Sequence, residues 1–474
     1  MDFKKTISPK TLWYITILIF AINFIFKFWS VPGMSMYEDE PFALFVGQQS
    51  IPEIVEIHKN DSNPFTHALI MHFWFKLFGV SLVAGKLFSV LLSSITAGLI
   101  FQLFSKRFGF LFPLLASLLF TLSGINFFHA QEMRIYPLLI LITVLSVHYF
   151  IELLFQPNWK NALKLAMSNF LLLMSHYTAF FLPLIELGIL IFYIQTHKKS
   201  IKLFLISQFF AALLFAPWFF YAAINNMPTG KSWLQMPYLK DIPWFINRMA
   251  TYPIALLNIL LFIVISYLKL WKKKLVAGDY RLLLFFNAFF WGTIAGSFII
   301  SKKIPIMSDR YLLFATIGLF LAIGYSIHML NIKPKTKGIL SALIIIIGLS
   351  SITFRPIPEN WPTKIEYIKK YRNNNELIFV YPWWSYRAFA FYHDKEAFED
   401  YHLTTRRLSV DKVIPTNDID FITEKIKHEN SKTLYLVMYK GGKDEEIINR
   451  IKALGYNVSY RKDKLKPTLV QFKK

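Results

Sequence analysis

The sequence contains no cysteine. That excludes a disulfide framework, a thiolate nucleophile and any cysteine-ligated zinc site. Charge is scarce as well. Charged residues make up 17% of the 474, and only 29 are Asp or Glu, against 52 Lys and Arg. Also missing are a phosphate-cradling glycine-rich loop, a His-Glu-x-x-His segment and a nucleophile elbow. Their absence argues against an ATP-driven pump, a zinc protease and a serine hydrolase. No internal repeat, low-complexity tract or lipidation motif is visible. What the chain has in excess is hydrocarbon: 55% hydrophobic and 18% aromatic residues, too apolar for a soluble protein of this size. Apolar runs of about 17–22 residues recur, the length that crosses a hydrocarbon core of about 30 Å. The net charge of +23 does not indicate nucleic acid. The charges lie in short clusters between apolar runs, as the positive-inside rule expects.

The apolar runs predict eleven spans, at 11–28, 81–103, 109–127, 134–155, 161–174, 178–195, 202–223, 250–270, 282–300, 311–329 and 338–354. The first follows a basic stretch and could be read as a signal peptide. No small-x-small cleavage site follows it, so an uncleaved span with a cytoplasmic N-terminus is expected. The loops 105–109, 196–200, 271–281 and 331–337 are basic and read as cytoplasmic. The loop 301–310 is basic yet external in this scheme. The 34 residues from Lys160 to Tyr193 are too many for one ordinary span. A break at Ser175-His176-Tyr177-Thr178 keeps the basic loops inside. It leaves a first half of about 20 Å, so the turn lies below the membrane surface, where irregular backbone must be buried in protein or line a wet cavity. After Phe354 the apolar runs stop. The prolines Pro356, Pro358 and Pro362 mark a linker, and residues 355–474 read as a small extracytoplasmic α/β domain, with strands at 376–382 and 433–439 and helices at 418–430 and 444–454. The expected fold is therefore a membrane all-α domain over 1–354 followed by this soluble domain.

Only 13 acids precede that domain, and six of them (Glu38, Asp39, Glu40, Glu53, Glu56 and Asp61) share the first external loop. Acids gathered beside a membrane in a basic protein suggest a site that handles a proton or a cation. Asp39 and Glu40 can serve as a general base. They can equally open a short helix, since Pro41 follows. In HAQEMRIY (129–136), Glu132 and Arg134 sit at the outer membrane edge. The arginine suits an anionic group through its permanent charge and forked geometry, and an ion pair anchoring the helix end is the alternative. Arg310, with Lys302 and Lys303, forms an external basic cluster that suits a phosphate or acts as a snorkelling anchor. His67 and His72 lie on an aromatic, amphipathic segment, either facing substrate or packed. Glu186 falls in mid-membrane, as a functional acid or a bundle-internal hydrogen bond.

These residues resemble the polytopic glycosyltransferases of the C superfamily, the branch of the protein O-mannosyltransferases and the lipid A aminoarabinose transferase. The resemblance covers roughly residues 10–355. Asp39-Glu40 with Ala43 looks like the family's first-loop Asp-Glu motif. Asn63-Pro64, leading to Phe78-Gly79, looks like its His-Pro-Pro-Leu-Tyr segment, with Asn63 in place of the His and Phe65 in place of the second Pro. Glu132, Arg134 and Tyr136 look like its Gln-Glu-Ala-Arg-x-Tyr signature. His176-Tyr177-Thr178 and Arg310-Tyr311-Leu312 are similar to further family segments. The resemblance implies transfer of a sugar from a polyprenyl-phosphate carrier to a protein, lipid or glycan acceptor at the external face of a bacterial inner membrane. It implies Asp39 as base, Glu132 as a second carboxylate, and Glu40, Arg134, Tyr136, His67, His176, Tyr177, Lys303, Arg310 and Tyr311 as substrate-binding residues. No metal is required if arginines stabilise the lipid phosphate, although the carboxylate pair also admits a divalent cation such as Mg or Mn. Two other readings remain. A lipid-linked sugar flippase predicts repeated halves around a midplane site. An interaction protein acting through the C-terminal domain leaves the acidic loop unexplained.

Overall fold

The computed structural model describes residues 8–37, 39–61, 63–192, 198–225, 234–272, 275–350, 352, 359–373, 376–399, 403–439 and 442–474. Glu38, the linker prolines Pro356 and Pro358, and parts of the basic loops 196–200 and 271–281 lie outside the described residues. The chain clusters into two compact units. The first is Met1–Trp29, Ile51–Met71 and Lys86–Phe354. The second is Ser30–Ser50, His72–Gly85 and Arg355–Lys474.

The first unit is helical. Among the described residues six helices are long and apolar enough to cross a membrane: Pro9–Gly33, Leu82–Phe108, Tyr136–Phe155, Lys198–Ile224, Tyr252–Trp271 and Tyr280–Ile300. A bent pair, Leu111–Leu122 and Gly124–Ala130, makes a seventh if counted as one span, with 64° between its halves. The other four predicted spans coincide with shorter helices: Trp159–Leu173, Tyr177–Phe192, Leu313–Met329 and Pro334–Leu349. At 1.5 Å per residue a helix of 15 residues covers roughly 22 Å, short of a hydrocarbon core. By length and composition the described residues thus hold six or seven candidate spans, the pattern of a multi-pass membrane protein.

Local chemistry explains the helix ends. Ser8 accepts from the Thr11 N–H at 3.1 Å, with Pro9 in the first helical position. Asn158 caps the next turn at Asn161 in the same way, at 3.0 Å. The long stretch from Lys160 breaks where the sequence predicts. Its helix ends at Leu173, and a 3₁₀ turn begins at Tyr177. Polar side chains tie the helices together where hydrocarbon alone gives no direction. Asn23 donates to Thr121 at 3.0 Å, and Ser117 donates to the Ala97 carbonyl at 2.6 Å. Glu186 is fully buried and accepts from Asn169 and Ser146 at 3.4 Å each, which fits the bundle-internal reading. Two glycines permit close helix contact. A Cβ at Gly318 would meet the Phe286 carbonyl at 2.8 Å, and one at Gly324 the Phe112 carbonyl at 2.9 Å.

The second unit is built on a mixed five-stranded sheet of order β2-β1-β3-β5-β4. β1 is Leu377–Tyr381, β2 Val413–Pro415, β3 Thr433–Met438, β4 Asn457–Lys462 and β5 Thr468–Lys473. β1 runs parallel to β2 and β3, while β5 is antiparallel to β3 and β4. The predicted helices appear as Ile419–Glu429 and Asp444–Ala453. Their Ile419, Ile422, Ile426, Ile447, Ile448 and Ile451 close over Leu377, Phe379, Leu434 and Leu436 of the sheet.

A partly exposed polar knot makes this unit sensitive to acid. The Asp411 carboxylate accepts from His393 Nε2 at 2.6 Å and pairs with Arg372 at 3.0 Å. Burial holds the His393 ring below the ordinary value of 6.5, with Asp411 opposing. Burial would raise the Asp411 carboxyl, but the His393 hydrogen bond and the Arg372 charge outweigh it and hold it low. Both groups therefore favour their deprotonated forms in the fold. Their contribution is complete above the ordinary histidine value and fades as pH falls through the lowered ones. The melting temperature should drop by a few degrees between pH 7.5 and 5, and His393→Gln should flatten that slope. A slope unchanged in the variant removes His393 as the cause.

Candidate functional site

In the first unit the turn after Ala130 gathers most of the residues predicted from sequence. His129 ends the Gly124–Ala130 helix, and its Nδ1 lies 2.7 Å from Glu132 Oε2, with both side chains 6% exposed. An ionised carboxylate only accepts, so Nδ1 carries the proton. Two residues on, the Arg134 N–H donates to the Glu132 carbonyl at 2.9 Å, and Tyr136 then opens the next helix, fully buried. Its ring stands edge-on to His129 at 5.1 Å and 6.5 Å from His176. His176 in turn lies 4.9 Å from the Tyr311 ring. Thr178 fixes this arrangement by donating its hydroxyl to the Tyr311 carbonyl at 2.7 Å and its N–H to His176 Nδ1 at 3.2 Å. His176 Nδ1 is thereby an acceptor, which puts the ring proton on Nε2.

Two guanidiniums, Arg134 and Arg310, act electrostatically on both Tyr136 and His176. Arg310 also lies 5.6 Å from the centre of the Tyr311 ring. Yet among the described residues the buried Tyr136 hydroxyl and His176 Nε2 have no hydrogen-bond partner, nor do His129 Nε2 and His67 Nε2. Native proteins rarely leave buried polar atoms unpaired. Burial, with Arg134 and His58 adding to it, pushes the His67 imidazole down to about 3, so it is neutral. The positive potential of two guanidiniums at an O–H and an N–H donor suits an oxygen-rich anion.

Tyr177 turns away, and its hydroxyl accepts from Trp218 Nε1 at 3.2 Å. Lys303 is exposed, while Lys302 donates to the Pro237 carbonyl at 2.6 Å. Asp39 and Glu40 belong to the second unit. Glu40 begins the Glu40–Val46 helix with 1% exposure; its Oε2 accepts from the Tyr37 N–H at 2.7 Å, and its own N–H donates to the Tyr37 carbonyl at 2.8 Å. Asp39 occupies the N-cap position, half-buried, without a side-chain cap hydrogen bond. Glu40 thus closes the turn, and Asp39 is spared that task. His72 is buried and packs edge-on against Phe73 at 5.4 Å.

Several residues here escaped the sequence reading. His129 was legible only as a histidine three residues before Glu132, the spacing that puts two side chains on one helical face. Lys86 is 1% exposed and donates to the Gln131 carbonyl at 3.1 Å. Its place within an apolar run hid it. A cavity of about 290 Å³ lies beside His129, lined also by Ser123, Phe128, Arg248, Thr251 and Phe320. Thr251 has φ of 56°, and its buried hydroxyl has no partner. Among the described residues no group of three or more His, Asp or Glu is placed to hold a metal ion.

No protein-family model and no curated protein matches the sequence. Solved structures do. ArnT from Cupriavidus metallidurans, in the apo state, matches over 98% of this chain and 98% of its own, at 12% identity and a TM-score of 0.63. The chain shares the fold of this solved structure. ArnT bound to undecaprenyl phosphate gives 0.57 at 12% identity over 96% and 97% of the two chains. The Archaeoglobus fulgidus oligosaccharyltransferase, in complex with Zn and sulfate, matches over 92% of this chain and 69% of its own, at 11% identity and a TM-score of 0.59. The mycobacterial arabinofuranosyltransferase AftD covers 97% of this chain and 40% of its own, at 10% identity and 0.52. At such identities the likeness carries the fold, and residue roles must be argued from the side chains themselves.

Proposed function

We propose that the protein transfers a sugar from a polyprenyl-phosphate donor to a hydroxyl or amine acceptor on a protein, lipid or glycan, at the external face of a bacterial inner membrane. The observation that supports this best is that Arg134 and Arg310 both act electrostatically on Tyr136 and His176, whose hydroxyl and Nε2 have no hydrogen-bond partner among the described residues. As the bond between the sugar and phosphate breaks, the lipid phosphate gains negative charge. Four donors fixed in advance stabilise that charge more in the transition state than in the ground state. In this reading Asp39 receives the acceptor proton and attack inverts the sugar carbon. Glu132 acts as an orienting carboxylate through the His129 ring it holds. Glu40 supports Asp39, while His67, Tyr177, Lys303 and Tyr311 contact the substrates or their entry path. Eleven spans and an extracytoplasmic C-terminal domain belong to the same proposal.

The test is consumption of donor by the purified protein in micelles, with no membrane gradient. A panel of undecaprenyl-phosphate-linked sugars is offered with cell-envelope acceptors, and release of undecaprenyl phosphate is followed. Turnover of one member is expected, and it should survive EDTA because guanidiniums serve in place of a cation. A protein that only moves the intact lipid-sugar across vesicles is a flippase and sinks the proposal. Activity lost to EDTA and restored by Mg²⁺ or Mn²⁺ would reverse the metal-independent reading.

A further inference from the structure

Of the first-loop acids, Asp39 and Glu40 cluster with the C-terminal segment, whereas Glu53, Glu56 and Asp61 belong to the helical unit. The contacts within that unit are specific. Ser35 donates its hydroxyl to the Glu359 carbonyl at 2.7 Å, and the Met36 N–H donates to the Tyr392 hydroxyl at 3.0 Å. Met36, Leu44 and Val46 are fully buried. Phe45 meets Phe398 edge-on at 5.6 Å, and the Arg387 guanidinium covers the Phe42 ring at 5.3 Å. Behind the helix, Gly47 admits the Phe75 ring so closely that a Cβ would come within 2.8 Å of it. The Met36 N–H lies three residues before Asp39, and the turn between them is the one that Glu40 closes on Tyr37. The Tyr392 hydroxyl therefore holds one end of the segment that carries Asp39, and Phe398 and Arg387 hold the other.

We propose that the C-terminal domain serves the reaction by fixing the Met36–Val46 segment, with Tyr392 as a positioning residue for Asp39. This rests on Asp39 being the base. The Tyr392 hydrogen bond to this segment runs through its backbone. It acts by pairing a backbone N–H that would otherwise be buried without a partner. Losing it lets the turn relax, and a displacement of about 1 Å at a reacting group costs up to about 10²-fold in rate.

The experiment uses Tyr392→Phe in the full chain, which keeps the ring and removes only the hydroxyl. The substrate is the undecaprenyl-phosphate sugar that the wild type consumes. The expected result is a kcat lower by roughly 10-fold or more with the donor KM unchanged. Hydrogen exchange should quicken at the amides of residues 36–46, while those of β1 and β3 keep their protection. Phe398→Leu should give a change in the same direction. An unchanged kcat overturns the proposal, and so does faster exchange throughout the sheet, which marks a general loss of stability. The double variant with Asp39→Asn separates the two readings. If Asp39 is the base, removing the Tyr392 hydroxyl has no further effect on the residual rate. Additive losses alongside local exchange at 36–46 leave the clamp in place and remove Asp39 from the chemistry.

Discussion

Asp39→Asn is expected to lower kcat by about 10²–10⁴-fold, the range in which a positioned general base contributes, while the protein still folds and enters the membrane. The structure explains why the two effects separate. Asp39 is half-buried at the N-cap position, and its side chain makes no capping hydrogen bond. Asparagine has the same shape and is an equally good N-cap residue. The neighbouring acid behaves differently. Glu40 is 1% exposed, and its carboxylate accepts the Tyr37 N–H. Glu40→Gln keeps an acceptor there and should cost less activity than Asp39→Asn. Glu40→Ala strands a buried N–H, at about 1–3 kcal/mol, and should show a lower melting temperature as well as a lower rate. Steady-state kinetics and thermal unfolding of the three variants distinguish them. Near-normal turnover in Asp39→Asn would take that residue out of the mechanism.

How far such roles can be read from sequence depends on how local the signal is. The membrane helices are legible because about 20 apolar residues in a row leave few alternatives. The break at His176 was legible because the stretch containing it was too long for one span. Glu132, Arg134 and Tyr136 were visible as a short string, but their relation to His176 and Arg310 was not. It depends on contacts between segments more than a hundred residues apart, such as the Thr178–Tyr311 hydrogen bond. In the C-terminal domain, β1 and β3 were found because they are continuous apolar runs, buried at every position. β4 alternates between exposed and half-buried residues and carries Ser, Arg and Lys, so its pattern resembles a loop. β2 is only three residues long and ends in Pro415. The grouping of the Ser30–Ser50 segment, with Asp39 and Glu40, with the C-terminal domain had no sequence signature. The Met36–Tyr392 hydrogen bond spans 356 positions, and no periodicity reaches that far.

Replacing Arg134 or Arg310 by methionine should lower kcat by about 10²–10³-fold each, as expected when one charged donor is removed from a preorganised anion site. Donor KM should change less than kcat, because the phosphate gains its extra charge only as the glycosidic bond breaks. Lysine is the sharper substitution. It retains the charge but loses the planar fork, so recovery to near wild-type rates would show that charge alone matters. The double methionine variant should lose less than the product of the two single effects, because both side chains serve one phosphate. Tyr136→Phe and His176→Phe remove one neutral donor each and should have smaller effects in the same direction. Their effects should shrink in an Arg134→Met background, since a phosphate that has lost its guanidinium is no longer held against the remaining donors. Full additivity across these four residues would mean that they do not share a ligand. The convergence of Arg134, Arg310, Tyr136 and His176 would then be a packing arrangement, with its unpaired polar atoms left unexplained.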